Sequence, residues 1–80
     1  MTSEFINRKV SEIIVQQLGL VEEDVLPESS FSKDLGADSL DLIELILALE
    51  EEFDIEISEN DVKKFSVVQD IINYVEEKIG

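Results

Sequence analysis

The stretch DLGADSLDLIEL, residues 34–45, decides the fold of this chain because it joins a turn directly to a helix. Gly36 permits the left-handed backbone that a tight turn needs. Asp38 is a good N-cap, and Asp41 three residues later favours the same helix start. The chain is strongly apolar beyond this point, so the sequence predicts a second helix over residues 39–53.

Ser39 falls in the first turn of this helix, beside backbone N–H groups that have no partner inside the helix. The N-terminus is also the positive end of the helix dipole, so a phosphate ester on this hydroxyl would lie where an anion is favoured. A serine at a helix start also commonly acts only as a cap. The residues alone leave both interpretations open.

The apolar residues of the second helix form two stripes when plotted at about 100° per residue. One stripe covers about 100° of arc and suits a core: Leu42, Leu45, Ile46, Leu49 and Phe53. The other stripe is about 60° wide and consists of Leu40, Ile43 and Leu47. A surface helix normally has one apolar face, so the second stripe indicates either deep burial or an exposed docking surface.

Three further helices are predicted, one near each terminus and a short one between them. Ser58 with Asp61 resembles the capping pair of the short third helix. Ser66 with Gln69 fits a capping box for the last helix, and Tyr74 is expected at its edge with the hydroxyl in water. The predicted fold class is all-α: a compact four-helix bundle with a short third helix and a long loop between helices 1 and 2.

The long loop spans residues 20–37 and contains Pro27 and Gly36, which interrupt any regular pattern. A structureless loop of this length is unusual in a compact domain, so one short helical turn is expected within it. We also expect its apolar residues to fasten it over the bundle: Val21, Val25, Leu26, Phe31 and Leu35.

The charge balance restricts the classes of partner. The 80 residues include 20 acidic and 6 basic side chains, which gives a formal net charge of −14 at pH 7. Nucleic acids need a basic surface, and an anionic membrane surface would repel this chain. No apolar run approaches the ~18 residues that would cross a membrane. We therefore expect no nucleic-acid binding, no membrane insertion and a cytoplasmic location.

The chain contains no histidine and no cysteine, which removes the usual general base and the usual zinc ligands. No catalytic residue and no dedicated metal site are therefore predicted. A calcium-binding loop that began at Asp34 would need glycine at its sixth position, where Ser39 stands. Weak divalent binding near Glu50 and Asp54 stays open.

Acidic residues crowd the neighbourhood of the second helix, with 11 of them and no basic residue between Lys33 and Lys63. Residues 50–52 are three glutamates at the C-terminal end of that helix, where the dipole disfavours anions. Local violations of this kind are expected at functional surfaces. The alternative is a solvated charged face that only maintains solubility.

The string GADSLDLIEL, followed after two residues by ALEEEFDIEI, resembles the acyl carrier protein family over residues 36–57. The resemblance extends, in length, helix order and acidity, to nearly the whole chain. It implies that Ser39, in the Asp38-Ser39-Leu40 motif, carries a covalent 4'-phosphopantetheine arm attached by a phosphopantetheinyl transferase. Acyl chains held on that arm as thioesters would be presented to fatty-acid-synthesis enzymes with basic docking patches.

The same resemblance implies two further groups of residues. The docking group lies on the second helix: Leu40, Asp41, Ile43, Glu44, Leu47 and Glu51. The acyl-pocket group lies between helices: Ile46, Leu49, Phe53, Ile57, Val62 and Phe65. Phe65 stands where the family commonly has a smaller residue, and Ser58 stands where it often has proline, so no preferred chain length is assigned.

The prediction is thus a single acyl-carrier domain over residues 1–80, monomeric and not itself an enzyme, of the discrete fatty-acid-synthesis type. Two alternatives stay open. One is an unmodified acidic helical interaction module in which Ser39 is only a cap. The other is a carrier for another pathway, such as polyketide, aryl or peptidyl synthesis.

Overall fold

Four α-helices form in the computed structural model, which describes residues 3–79. The helices are α1 (Ser3–Leu18), α2 (Ser39–Phe53), α3 (Glu59–Val62) and α4 (Val68–Ile79), and a 3₁₀ turn (Glu22–Asp24) follows α1. Residues 3–79 contain no β-strand, although an isolated bridge pairs Ser30 with Val67. The predicted all-α bundle, its short third helix and the bounds of the second helix are confirmed.

The core lies where α1 packs against both α2 and α4. Each of these helices contributes aliphatic side chains spaced three or four residues apart, because such residues share one face of a helix. The radius of gyration is 11.3 Å, close to the value of about 12 Å that is expected for a compact chain of this length. The most deeply buried residues include Ile6, Val10, Ile14, Leu45, Leu49, Ile71, Val68 and Val75.

The loop between α1 and α2 is fastened to the bundle by some of the expected residues only. Val25, Phe31 and Leu35 are buried, but Val21 and Leu26 are exposed, so the prediction was wrong for those two. Val25 has an extended backbone, and successive side chains of an extended chain point to opposite sides. Because Val25 faces the core, the next side chain, Leu26, faces water.

Backbone hydrogen bonds tie the same loop to the start of α4. The N–H of Phe31 donates to the Ser66 carbonyl at 3.1 Å, and the N–H of Val68 donates to the Ser29 carbonyl at 3.1 Å. Ser29 is itself buried, and its Oγ accepts the Leu26 N–H at 3.0 Å. These bonds hold the approach to α2 against the body of the bundle.

Asp70, rather than Gln69, caps the start of α4. One carboxylate oxygen, Oδ2 of Asp70, accepts the backbone N–H groups of Ser66 at 2.9 Å and Val67 at 3.1 Å. Gln69 instead donates from its side chain to Asn73 Oδ1 at 2.8 Å. The predicted Ser66–Gln69 capping box was wrong because the neighbouring carboxylate is the stronger acceptor for a helix N-terminus.

Replacing Asp70 by alanine is expected to lower the free energy of unfolding by about 1 kcal/mol, the usual effect of losing a helix cap. Gln69→Ala is the matched control, and its effect is expected to stay within about 0.5 kcal/mol. Urea unfolding followed by circular dichroism at pH 7 measures both. Equal losses in the two variants would contradict the assignment of the cap to Asp70.

The same contacts make the contribution of Asp70 depend on pH. The backbone N–H groups of Ser66 and Val67 hold the pKa of the Asp70 carboxyl below its ordinary value. A lowered pKa in the folded state means that the stabilisation is complete above the ordinary value of about 3.9 and is lost as the pH falls through the lowered value. The stability difference between wild type and Asp70→Ala is therefore expected to shrink at acidic pH.

Candidate functional site

The turn that leads into α2 is tightly organised. Gly36 has φ of +66°, in the left-handed region that favours glycine. The N–H of Ala37 donates to the Phe31 carbonyl at 2.7 Å, and Asp34 Oδ2 accepts the N–H of Ser30 at 2.7 Å. The backbone immediately before α2 is thus fixed by local bonds.

Asp38 caps α2 through a reciprocal pair of hydrogen bonds. Asp38 Oδ1 accepts the N–H of Asp41 at 2.9 Å, and Asp41 Oδ2 accepts the N–H of Asp38 at 3.2 Å. This is the capping box that the sequence predicts. Because two carboxylates satisfy the helix start, no other side chain is required as a cap.

Ser39 is the first residue of α2, and its side chain is exposed. Its hydroxyl makes no hydrogen bond with any residue in the range 3–79 that the structure describes. The interpretation of Ser39 as only a helix cap is therefore wrong, since Asp38 performs that role. The hydroxyl instead faces solvent at the positive end of a helix, where a phosphate ester fits.

The second apolar stripe of α2 is exposed. Leu40, Ile43 and Leu47 are 64%, 53% and 59% exposed, which decides against deep burial. Glu44 and Glu51, on the same helix, are also exposed, while Asp41 is half-buried by its part in the cap. The helix thus presents apolar and acidic side chains together to solvent, beginning at Ser39.

An open groove of about 570 Å³ lies between α2 and α3, and Ser39 is among its lining residues. Most of its wall is aliphatic or aromatic. Four of the six predicted acyl-pocket residues line it: Ile46, Ile57, Val62 and Phe65. The other residues of the wall were not predicted as pocket residues: Ser39, Leu42, Ile43, Leu47, Glu50, Glu59 and Lys63.

Leu49 and Phe53, the remaining two predicted pocket residues, do not line this groove. Both are buried in the core, and Leu49 is completely inaccessible to solvent. The helical spacing could not separate them from Ile46, because all three lie on one broad face of α2. That face spans both the core and the groove.

A smaller hollow of about 220 Å³ lies on the other side of Ser39. It shares Ser39, Leu42 and Phe65 with the groove between α2 and α3. Its other walls come from the loop before α2 and from the start of α4: Phe31, Ser32, Ala37, Asp38 and Ser66. Two hollows therefore open beside one exposed hydroxyl, and Leu42 and Phe65 stand between them.

The acidic end of α2 has specific partners. Glu50 Oε2 accepts the backbone N–H of Ile57 at 2.8 Å, which fixes the chain just before α3. Glu52 Oε1 lies 3.9 Å from Lys9 Nζ, which links α2 to α1. Within residues 3–79, no group of three or more Asp or Glu side chains is arranged to hold a metal ion.

Tyr74 of α4 holds α3 in place. Its hydroxyl donates to Asp61 Oδ2 at 2.9 Å, a partner that the sequence analysis did not predict. Ser58 Oγ caps α3 by accepting the N–H of Asp61 at 3.2 Å, as predicted. The Tyr74 ring also meets the Phe65 ring edge-on, with centroids 5.4 Å apart and planes at 77°.

The titration behaviour of this pair follows from the hydrogen bond. The Tyr74 hydroxyl, followed by Ser58, holds the pKa of the Asp61 carboxyl below its ordinary value. Desolvation, followed by the bond to Asp61, raises the pKa of the Tyr74 hydroxyl. At neutral pH Asp61 is therefore ionised and Tyr74 is protonated, the states that the hydrogen bond requires.

A match to a known protein family covers most of the chain. Residues 8–75 match a family described as "Phosphopantetheine attachment site". The matched range contains all of α2 and α3, the loop before α2 and most of α1 and α4.

Among the described residues, no helix is both long enough and apolar enough to cross a membrane.

Proposed function

We propose, because this chain belongs to the phosphopantetheine attachment site family, that it is an acyl carrier protein of the discrete fatty-acid-synthesis type. Members of this family carry covalently attached 4'-phosphopantetheine, and the chain is a carrier protein. We further propose that the arm is attached to Ser39, that residues 1–80 act as one carrier domain, and that the domain is monomeric and performs no catalysis.

The choice of Ser39 rests on its chemical environment. A phosphodiester on its Oγ would lie at the positive end of α2, beside the N–H groups of Ser39 and Leu40, which donate no hydrogen bond within residues 3–79. Asp38 would keep the helix capped without using the hydroxyl. When bound, the arm supplies a terminal thiol that holds an acyl group as a thioester.

The lining of the groove favours an aliphatic cargo over a peptidyl one. The groove that begins at Ser39 is lined mainly by Leu, Ile and Val side chains, with Phe65 at one side. Each CH₂ group moved from water into such a groove gains about 0.8 kcal/mol. A polar aminoacyl group would gain little there and would leave its own polar atoms without partners.

Intact mass spectrometry tests this function. The protein is incubated with coenzyme A and a phosphopantetheinyl transferase, and the expected product carries the mass of one phosphopantetheine. The product is then loaded with an aliphatic, an aryl or an aminoacyl thioester and exposed to hydroxylamine. The aliphatic thioester is expected to survive longest relative to the same thioester on free pantetheine. Equal protection of all three would contradict the fatty-acid assignment.

We also propose that the exposed face of α2 docks the partner enzymes. A partner must approach Ser39 to reach the arm, and the surface beside Ser39 offers Leu40, Ile43 and Leu47 for apolar contact. Asp41, Glu44 and Glu51 would steer a basic patch toward that contact. Charge complementarity with a chain of net charge −14 supports basic partners, including the transferase and the acyl-chain enzymes.

Reversing the charge of Glu44 with Glu44→Lys is expected to slow loading by the transferase at least about threefold at low ionic strength, because the association rate depends on steering. The defect is expected to shrink as salt is added. Transferase kinetics across a salt series measure both effects.

Glu77→Lys is the matched control for Glu44→Lys. It makes the same charge change at an exposed position in the last turns of α4, and Glu77 lines neither hollow beside Ser39. Loading of this variant is expected to stay near the wild-type rate. If the two reversals slow loading equally, net charge rather than the α2 face explains the effect.

A further inference from the structure

Phe65, together with Leu42 of α2, separates the two hollows that open beside Ser39. Its side chain lines both the groove of about 570 Å³ and the hollow of about 220 Å³. Phe65 lies outside any helix, between α3 and α4, and it is only partly buried. A side chain in such a position can move unless neighbouring residues hold it.

Tyr74 is the neighbour that holds it. The edge of one ring meets the face of the other at a centroid distance of 5.4 Å, a geometry that aromatic pairs prefer. The Tyr74 ring is in turn anchored by the bond of its hydroxyl to Asp61, 2.9 Å long. Lys78 Nζ lies 5.5 Å from the centroid of the same ring, a cation–π contact on α4.

We propose that Tyr74 and Asp61, neither of which lines a hollow, set the length of acyl chain that the domain can shelter by holding Phe65 between the two hollows. The inference rests on the function proposed above and adds two positioning residues to it. With Phe65 held, a chain that enters from Ser39 is confined to the space between α2 and α3. With Phe65 released, the two spaces join and a longer chain extends toward Ser32 and Ser66.

Two features of the structure support a movable partition rather than a fixed wall. Phe65 lies in the turn after a helix of only four residues, Glu59–Val62, and its side chain is only partly buried, so the side chain has room to change rotamer while the bond from the Phe65 N–H to the Val62 carbonyl is kept. The chain on the far side of that helix is fastened separately, by the Glu50–Ile57 bond. Loss of the Tyr74–Asp61 bond would therefore release Phe65 while the opposite end of the groove keeps its shape.

The test uses the full chain loaded at Ser39 with saturated acyl chains of increasing length. The variants are Tyr74→Phe, which keeps the ring but removes the hydroxyl, Asp61→Ala, which removes the acceptor, and Phe65→Ala, which removes the partition. Amide chemical shifts of Ile57 and Val62 report on the groove. Amide shifts of Ser32 and Ser66 report on the smaller hollow, since neither residue lines the groove.

In the wild type, lengthening the acyl chain is expected to change the amide chemical shifts of Ile57 and Val62. The amide shifts of Ser32 and Ser66 are expected to stay as they are in the protein with the unacylated arm. In Tyr74→Phe and Asp61→Ala, the longer chains are expected to shift Ser32 and Ser66 as well. Protection of the thioester from hydroxylamine is expected to continue rising with length in these variants, by about fourfold for each additional CH₂ buried. Phe65→Ala is expected to give the largest change.

Ser29→Ala is the control for a general loss of stability. It removes a buried hydroxyl that bonds within the α1–α2 loop and lines neither hollow. It is expected to lower the melting temperature without changing which amides respond to chain length. If Ser29→Ala also shifts Ser32 and Ser66 with long chains, a merely structural effect explains the result and the proposal fails.

The remaining outcomes separate this inference from the proposed function. A wild-type protein that takes up no phosphopantetheine at Ser39 would refute the function itself. If the wild type loads normally, and Tyr74→Phe and Asp61→Ala show the wild-type pattern of amide shifts at every chain length, only the role of Tyr74 and Asp61 is refuted. If Phe65→Ala also keeps that pattern, the partition is refuted too.

Discussion

Ser39→Ala is expected to fold like the wild type and to take up no phosphopantetheine. Asp38 and Asp41 cap α2 without the Ser39 hydroxyl, and alanine is well tolerated inside a helix, so secondary structure and melting temperature are expected to change little. Loading is expected to disappear completely, because the proposed ester bond has no other oxygen at this position. Intact mass after incubation with transferase and coenzyme A measures it.

Ser32→Ala is the matched control for this loss. Ser32 is also an exposed serine close to the start of α2, and it lines the smaller hollow beside Ser39. Its replacement is expected to leave loading intact. If the Ser39 variant still gains the mass of the arm, or if the Ser32 variant loses it, the attachment has been assigned to the wrong residue.

Leu49→Ala is expected to lower the free energy of unfolding by about 2–5 kcal/mol. Leu49 is completely buried where α2 meets the rest of the core, so truncation removes apolar contacts and leaves a cavity. A domain of this size has a total stability of roughly 4–12 kcal/mol, so the variant would lose a large share of it. Urea unfolding at low temperature measures the difference.

Leu47→Ala, two residues earlier on the same helix, separates packing from helix propensity. Leu47 is 59% exposed, so its truncation is expected to change stability by no more than about 0.5 kcal/mol. Leu47→Ala is instead expected to weaken partner binding, because Leu47 belongs to the proposed docking surface. Similar stability losses in the two variants would contradict the division of α2 into a core face and an exposed face.

The start of α2 was predictable from the sequence because its determinants are local. Gly36, Asp38 and Asp41 lie within six residues of one another, and their turn and capping box involve only residues that are close together in the sequence. The sequence alone does not decide whether Leu40, Ile43 and Leu47 are exposed, since a helical pattern gives the direction of a side chain but not what lies opposite it.

The contacts that the sequence could not predict join residues that are distant along the chain. Tyr74 on α4 forms a hydrogen bond with Asp61 on α3, and a pattern of apolar residues contains no information about that pairing. Ile46 lines the groove and Leu49 does not, although both are buried on the same face of α2, and this difference depends on where α3 lies. The spacing from Ser66 predicts Gln69 as its capping partner, and only the geometry shows that the next residue, Asp70, accepts the N–H groups at the start of α4.

The backbone bonds between the α1–α2 loop and the start of α4 have a consequence for synthesis on the ribosome. The loop that precedes Ser39 depends on Ser66 and Val68 for its partners, and these residues leave the ribosome well after α2 has done so. Closing this long loop is an entropic expense that helix formation in α2 alone does not offset. Ser39 therefore gains its folded surroundings, which include Phe65 and Ser66, only after those residues have emerged, and a transferase that recognises those surroundings would act after that point.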